Sequence, residues 1–370
     1  MRVLHVHKIT GVGGSERHLL TLLPALRERG VDARFLGLDV DRTDAPRFYR
    51  ELEAAGVPAR HVRCTADFNP LMAAAVGRAV RADAPDLLHT HLVHADVYGA
   101  MASRALGVPL VSTRHNNDRY LLGPFRFVDR GFARRARRIV AISSAVRRFL
   151  VESAGLPAEK IETIHYGLDR LPEARSEVAP AEAGVPEGVP LVLAVGRLTD
   201  QKDHATALRA FAAADGSAFL AILGIGPLEA ETRALARDLG IGDRVVFPGR
   251  VEPAAWLERA DVFVHSSRWE GFGMVLLEAM LAGLPVVGTR VSAVPEVVAE
   301  GETGLLVDAG AWESLASSLA GLLADPARAK AMGEAGRRRA RERFSVGRMT
   351  DRTLALYESV LGSAPNAAGS

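Results

Sequence analysis

Cysteine is nearly missing from this chain: Cys64 is the only one in 370 residues. A single thiol excludes an intrachain disulfide and any cysteine-rich zinc module, and it fits a reducing compartment. Long apolar runs are also missing. None approaches the roughly 20 residues that a membrane-spanning helix needs. The opening residues Met1-Arg2-Val3-Leu4-His5 show a short strand pattern rather than a charged start before a long apolar stretch. No signal peptide is therefore expected, and the expected location is the cytoplasm. Net charge is small, +2, but unevenly placed. Residues 1–170 carry 26 Lys and Arg against 18 Asp and Glu, whereas residues 171–370 carry 20 against 26. A basic first half and an acidic second half imply different partners. No nucleic-acid motif accompanies the basic half, so nucleic acid is not an expected partner.

The composition that remains, 48% hydrophobic and 24% charged, is that of a globular protein. The length predicts two domains. Each half alternates strand and helix patterns, which argues for an α/β class with two doubly wound parallel sheets. The expected divisions are a first domain over 1–170, a linker rich in Pro, Glu, Ala and Gly over 171–190, and a second domain over 191–345. A last helix over 346–361 and a disordered tail over 362–370 follow.

The chain is best read around one stretch of the second half. Asp261-Val262-Phe263-Val264-His265 is a short apolar run, a buried strand. Residues 274–282 are strong helix formers, closed by Gly283. Between them Glu270, Gly271, Phe272 and Gly273 form a glycine-bracketed loop, and Glu278 follows inside the helix. A strand, a glycine loop and a helix N-terminus make an anion site, because free backbone N–H groups and the positive dipole end face the loop. Carboxylates on either side suit a ligand with phosphates in its middle and hydroxyl groups at its ends, as in a nucleotide sugar. The plainer alternative is a buried strand–helix joint with two surface glutamates. Upstream, the strand over 191–195 leads into Gly196 and Arg197, with Lys202 beyond. An arginine fork and a point-charge lysine suit a diphosphate; the alternative is two exposed loop charges.

In the first half, a strand over 2–7 enters Gly11-Val12-Gly13-Gly14-Ser15-Glu16 and a helix that Gly30 stops. The dinucleotide fingerprint needs a third glycine where Glu16 stands. With Asp39 as a ribose-binding acid, a nicotinamide site remains an alternative. Asp39 and Asp41 form an Asp-x-Asp pair that reads as a solvated turn rather than a metal site. His89, His91 and His94 invite a zinc assignment, but no carboxylate or cysteine with ligand-like spacing joins them. They read better as polar lining at the carboxyl end of a parallel strand. The run Arg126, Arg130, Arg134, Arg135, Arg137, Arg138, Arg147 and Arg148 is interleaved with Phe125, Phe127, Val128 and Phe132. It is either a peripheral contact for acidic lipid or a solvated face.

These strings carry a family resemblance. Glu270-Gly271-Phe272-Gly273 with Glu278 resembles the Glu-x7-Glu signature of retaining glycosyltransferases of the GT-B fold, family 4 (glycosyl transferases group 1). Gly13-Gly14-Ser15-Glu16, the His-x-His strand end, the strand ending in His115, and Gly196-Arg197-Leu198 with Lys202 resemble further elements of that family, so the likeness spans nearly the whole chain. It implies two Rossmann-like domains facing a cleft, the last helix crossing back to the first. It implies transfer of a sugar from a nucleotide-diphosphate donor to an acceptor hydroxyl, with retention and with neither metal nor other cofactor. The implied catalytic set is His115, Arg197, Lys202 and Glu270. The implied donor-binding set is Gly13, Gly14, Gly196, Gly226, Arg250, Val251, Gly271, Phe272, Gly273 and Glu278. The acceptor implied is a sugar, a lipid-linked sugar or a small metabolite. Tyr166-Gly167 stands where the family usually has Asn-Gly. Alternatives are a sugar-nucleotide 2-epimerase of the same fold, an NAD-dependent oxidoreductase and a non-catalytic nucleotide-sugar binding module.

Overall fold

The computed structural model describes residues 1–9, 13–39, 45–63, 69–117, 125–171, 178–214 and 216–362, without the side chains of Phe125, Arg126 and Val128. Asp41, Cys64, part of the expected linker and residues 363–370 of the expected tail lie outside the described residues, and Gly362 ends the last helix. The chain divides into two units, one of Met1–Gly167 with Val346–Ser370 and one of Leu168–Ser345.

The first unit runs β1 (Arg2–Ile9), α1 (Gly14–Glu28), β2 (Asp32–Asp39), α2 (Ala45–Ala54), β3 (Ala59–Arg63), α3 (Pro70–Asp83) and β4 (Leu87–His91). It continues with α4 (Leu92–Leu106), β5 (Leu110–Arg114), α5 (Phe125–Arg135), β6 (Arg138–Ala141), α6 (Ser144–Arg148) and β7 (Ile161–Thr163). Among the described residues its parallel sheet has the order β3-β2-β1-β4-β5-β6-β7. Helices cover both faces of such a sheet, so its central strands are buried along most of their length, with His5, His7, His89 and His91 among the buried side chains. Helix limits follow local chemistry. The Asn69 side chain accepts from the Leu71 amide at 2.9 Å with Pro70 just inside the helix, and Gly107 ends α4 in the left-handed region at φ 73°.

The second unit runs β8 (Leu191–Val195), α7 (His204–Ala213), β9 (Phe219–Leu223), α8 (Glu229–Asp238), β10 (Val245–Gly249), α9 (Ala254–Arg259) and β11 (Val262–His265). It ends with α10 (Met274–Ala282), β12 (Val286–Thr289), α11 (Val294–Val297), β13 (Gly304–Val307), α12 (Trp312–Ala324) and α13 (Pro326–Arg343). Its parallel sheet has the order β10-β9-β8-β11-β12-β13. Val192, Leu220, Ile222, Val264 and Val287 meet Phe211, Leu315 and Leu319 in its core. Trp256 is core as well, fully buried, with its indole N–H donating to the Val178 carbonyl at 3.1 Å.

The last helix, α14 (Val346–Gly362), belongs to the first unit, as the crossing-back helix should. Met349, Leu356, Tyr357 and Val360 enter the core formed by Leu19, Leu22 and Leu23 of α1 with Val3 and Phe35 of the sheet. Ion pairs from Arg29 to Asp351 (2.6 Å) and from Arg352 to Glu162 (3.0 Å) flank that apolar stripe. In both sheets the chain reverses its direction of travel across the sheet, between β1 and β4 and between β8 and β11. Loops leaving the carboxyl ends of these strand pairs diverge and leave a crevice, the usual ligand position in α/β folds.

Two glycines test the packing of the second unit. A Cβ on Gly333 in α13 would lie 1.8 Å from the Gly283 carbonyl oxygen, whereas one on Gly321 in α12 meets nothing within 4 Å. Gly333→Ala is expected to cost about 1–3 kcal/mol, because backbone must move. Gly321→Ala is expected to stabilise by about 0.5–1 kcal/mol. Urea midpoints compare them; equal midpoints for the two variants would contradict this packing.

Candidate functional site

In the second unit, the loops that leave β8 and β11 are bound to each other beside the reversal point. The Arg268 amide donates to the Gln201 carbonyl at 2.8 Å, and the Gln201 side chain donates to the Trp269 carbonyl at 3.1 Å. The Ser266 hydroxyl donates to the Lys202 carbonyl at 2.9 Å, and Arg268 pairs with Asp203 at 3.0 Å. The loop after β9 closes on the first of them. A Cβ on Gly224 would fall 2.0 Å from the Gly196 oxygen, and one on Gly226 2.3 Å from the Leu198 oxygen. Gly226 thus lets two backbones touch. On Gly196, a Cβ would lie 3.1 Å from three carbons of the Lys202 stem. The lysine therefore runs closely over a residue without a side chain.

That stem ends on Glu270. The Lys202 ammonium, the Ser267 hydroxyl (2.9 Å) and the His265 Nε2 (3.2 Å) all reach Glu270 Oε1. Two residues that the sequence motifs place in separate strings are thus one contact. Burial opposes ionisation of Glu270, but Lys202 and the hydrogen bond from His265 outweigh it and hold its carboxyl below the ordinary range. Glu270 therefore carries a charge at neutral pH and has no proton to give. Burial pushes the pKa of His265 down, with Glu270 opposing in part. Sequence reasoning gave His265 and Ser267 no role. The signal available was their position at the strand end just before the loop.

The remaining residues of this half divide between main chain and side chain. Gly273 is the N-cap of α10 in the left-handed region at φ 87°, and a Cβ there would meet Leu276 at 2.9 Å. The Phe272 ring is buried edge-on against Phe344, with 5.7 Å between centroids, so it is core. Gly271 and Glu278 are buried, the latter inside α10. Arg197 is exposed. Arg250 and Val251 follow β10, whose Gly249 carbonyl accepts from the Gly224 amide at 2.7 Å.

In the first unit, Gly13 and Gly14 are exposed at the start of α1, but the helix N-terminus already holds an anion. Glu16 Oε2 accepts from the Gly13 amide and the Ser15 hydroxyl, each at 2.9 Å, while Oε1 faces His7 at 3.1 Å. Burial opposes its ionisation, yet the His7 and Gly13 hydrogen bonds hold its carboxyl below the ordinary range. Glu16, in the position of the missing third glycine, is the cap of its own helix.

His115 is buried, with its Nε2 3.0 Å from His91 Nδ1 and its Nδ1 on the Tyr166 hydroxyl. The histidine grouping differs from His89, His91 and His94. His94 lies on α4, and the imidazoles that converge with His89 and His91 include His5 of β1. Register explains it: β1 and β4 are parallel neighbours with His5 opposite His89 and His7 opposite His91. Burial pushes His5 and His18 down to about 3, and lowers His89, His91 and His115 well below the ordinary value. Alternating histidines in the strands around 5, 89 and 115 were the signal for this cluster.

The basic run is partly structural. Arg130 donates to the Ala154 carbonyl at 2.7 Å, and Arg135 donates to Ser103 Oγ and O at 3.0 and 2.9 Å. Arg134 and Arg137 are exposed, as is Phe127 at 62%. A pocket of about 380 Å³ is lined by Arg130, Arg134, Val151, Gly155, Leu156 and Pro157. Among the described residues no helix is long and apolar enough to cross a membrane.

Comparison with known proteins adds the family context. Residues 12–170 match the family described as Glycosyltransferase Family 4, and residues 176–339 match Glycosyl transferases group 1. The chain is 30% identical to an alpha-maltose-1-phosphate synthase of Mycolicibacterium smegmatis, over 94% of this chain and 96% of the relative. It is 31% identical to a 2-deoxystreptamine glucosyltransferase of Streptomyces kanamyceticus, over 93% and 98%. The solved structure of Anabaena Alr3699/HepE in complex with UDP and glucose is similar in fold, with a TM-score of 0.82 at 23% identity, over 97% of this chain and all of that one.

The imidazoles of His5, His18, His89, His91 and His115 set a pH dependence. Their folded pKa values lie below the unfolded value of about 6.5, so the unfolded chain binds more protons under acid conditions. Stability is expected to be flat above about pH 6.5 and to fall from there towards pH 3, by up to about 1.4 kcal/mol per pH unit for each histidine kept neutral. Urea unfolding of the first unit at pH 7.5, 6 and 5 measures it. Stability unchanged down to pH 4.5, where carboxylates begin to titrate, would show that these rings are not held neutral.

Proposed function

The chain belongs to glycosyltransferase family 4 and is a nucleotide-sugar-dependent glycosyltransferase, and we propose that it transfers a hexose to an acceptor hydroxyl with retention and without a metal. The observation that carries this reading is the Lys202–Glu270 contact laid over Gly196 beside the N-terminus of α10. It joins a cation suited to a leaving diphosphate to a carboxylate suited to sugar hydroxyls, at the carboxyl ends of two parallel strands.

The proposed roles follow from charge. Arg197, Lys202 and the backbone N–H groups at Gly273 would hold the diphosphate and neutralise the charge that grows on it as the glycosidic bond breaks. Glu270 is fixed through Oε1, so Oε2 would accept from the donor sugar's hydroxyls beside the Gly271 and Phe272 main chain. Because Glu270 stays ionised, it would not serve as the acid of the reaction. A front-face route fits: the leaving phosphate oxygen takes the acceptor's proton as the new bond forms on the face that the leaving group vacates. Glu278 would accept from the ribose hydroxyls, and the Arg250 and Val251 main chain would meet the base. His115 would bind the transferred sugar, and Gly13 and Gly14 would approach the donor pyrophosphate or the acceptor. A uridine diphosphate hexose is the first donor to try, since the structurally similar Anabaena protein was solved with UDP and glucose.

On the acceptor side, exposed Phe127 and Arg134 on α5, with exposed Arg137 just after it, support peripheral contact with anionic lipid and a lipid-linked acceptor. Vesicle cosedimentation with and without anionic lipid would separate this from a soluble acceptor.

A thermal-shift panel of UDP, GDP, ADP, dTDP and their sugars in EDTA tests the donor reading. A ligand at about 100 times its Kd adds roughly 2.7 kcal/mol. One base should give the shift, and Glu278→Ala should lose it. Lys202→Ala should lower kcat by about 10² to 10³, as does loss of one group that stabilises developing charge. A shift with NAD alone would overturn the reading, and turnover of donor without any acceptor would favour the epimerase.

A further inference from the structure

The histidines of the first unit form a continuous hydrogen-bonded line. Starting from the loop after β7, the Tyr166 hydroxyl meets His115 Nδ1, and His115 Nε2 lies 3.0 Å from His91 Nδ1. His91 Nε2 lies 3.0 Å from His5 Nδ1, and His5 Nε2 lies 3.3 Å from the Tyr357 hydroxyl of α14. The same hydroxyl meets His89 Nδ1 at 2.5 Å, and His89 Nε2 meets the Thr113 hydroxyl at 2.6 Å. All seven side chains are buried. Both ring nitrogens of each of the four imidazoles face a neighbour in this line.

Proton counting limits what the line can do. A neutral imidazole has one N–H and one bare nitrogen, so each ring donates in one direction only. If Tyr166 donates to His115, every later contact must donate the same way as far as Thr113. All four rings then carry the proton on Nε2. If Thr113 donates to His89, the direction reverses, and all four carry it on Nδ1. A break between two rings leaves two donors or two bare nitrogens facing each other, and a break at Tyr357 leaves its O–H or one ring nitrogen without a partner; in a dry interior an unmade hydrogen bond is costly.

We propose that His91 and His5, backed by Tyr357, are positioning residues for His115: the four imidazoles share one tautomer and switch as a unit, so the His115 nitrogen that can donate to substrate is tied, through Tyr357 of the last helix, to the tautomer of His89. This rests on the reading above that His115 meets the transferred sugar. The two forms hold the same number of protons, because interchange takes in one proton at one terminal hydroxyl and releases one at the other, and a ligand hydroxyl that takes over one His115 nitrogen fixes the direction of the whole line.

Long-range ¹H–¹⁵N correlation on histidine-labelled full chain at pH 7.5 reads each tautomer directly. The wild type should show His5, His89, His91 and His115 in the same form; a mixture overturns the proposal whatever the activity. Tyr357→Phe cuts the line into a His89 segment and a His115 segment. Buried orphan N–H groups are rarer than under-satisfied acceptors, so each segment should turn its bare nitrogen to the gap. His89 then protonates on Nε2 and His115 on Nδ1. Retention of one common tautomer in this variant overturns the coupling.

Activity supplies the second readout. Tyr357→Phe should lower kcat several-fold with little change in donor KM, and should have no further effect in a His115→Ala background. An equal loss in both backgrounds means that Tyr357 acts without His115, and the positioning role falls. If His115→Ala alone transfers sugar at the wild-type rate, the placement of His115 at the donor fails, while the tautomer pattern still decides whether the line exists.

Discussion

A half-buried ammonium against a buried carboxylate organises the second unit. Taking two such charges from water costs several kcal/mol each, and only close contact with further hydrogen bonds offsets that. Lys202 and Glu270 meet both conditions. Ser267 and His265 supply extra donors to the same oxygen, and Gly196 lets the lysine stem lie flat enough to arrive. The stitching between the loops after β8 and β11 follows from the same need, because loops free to separate would leave each charge unpaired. The pair also fixes the chemistry on offer. A carboxylate held ionised beside a lysine can orient hydroxyl groups and cannot donate a proton.

The first unit solves a different electrostatic problem by the opposite means. It buries imidazoles and keeps them uncharged: His5, His91 and His115 bond to one another, and His89 bonds to the hydroxyls of Tyr357 and Thr113. The parallel register makes this possible, since His5 stands opposite His89 and His91 opposite Thr113 on adjoining strands. Tyr357 then closes the row from a helix more than two hundred residues away in sequence, which is a structural reason for α14 to belong to this unit. The Arg114 guanidinium, beside Asp96 at 3.3 Å and Asp129 at 2.8 Å, shows that the unit accepts buried charge where carboxylates are at hand.

Much of this was legible in the residues themselves. The alternation of short apolar runs with helix formers and glycine stops points to two parallel sheets, because strands covered on both faces are rich in apolar residues and helices commonly end where glycine takes the left-handed region. The loop chemistry was legible too: Gly196, Arg197, Lys202, Glu270 and Gly273 are local strings whose backbone needs show in sequence. The histidine grouping was not legible from spacing, for a specific reason. Spacing along the chain places residues within one element, whereas His5 reaches His89 and His91 only through strand pairing, and His94 has passed onto a helix.

The sequence by itself determined the class of fold, the positions of the glycine loops and the family, since each depends on contacts within a few residues or on motif strings. Tertiary structure alone decided that Lys202 and Glu270 are one contact, that Glu16 fills the N-terminus of its own helix, that Phe272 is core, and that histidines from β1, β4 and β5 form a line ending on α14. The physical reason is the same in each case. Protonation state and hydrogen-bond partner depend on burial and on groups brought together by packing, and neither is a property of a residue's neighbours in the chain.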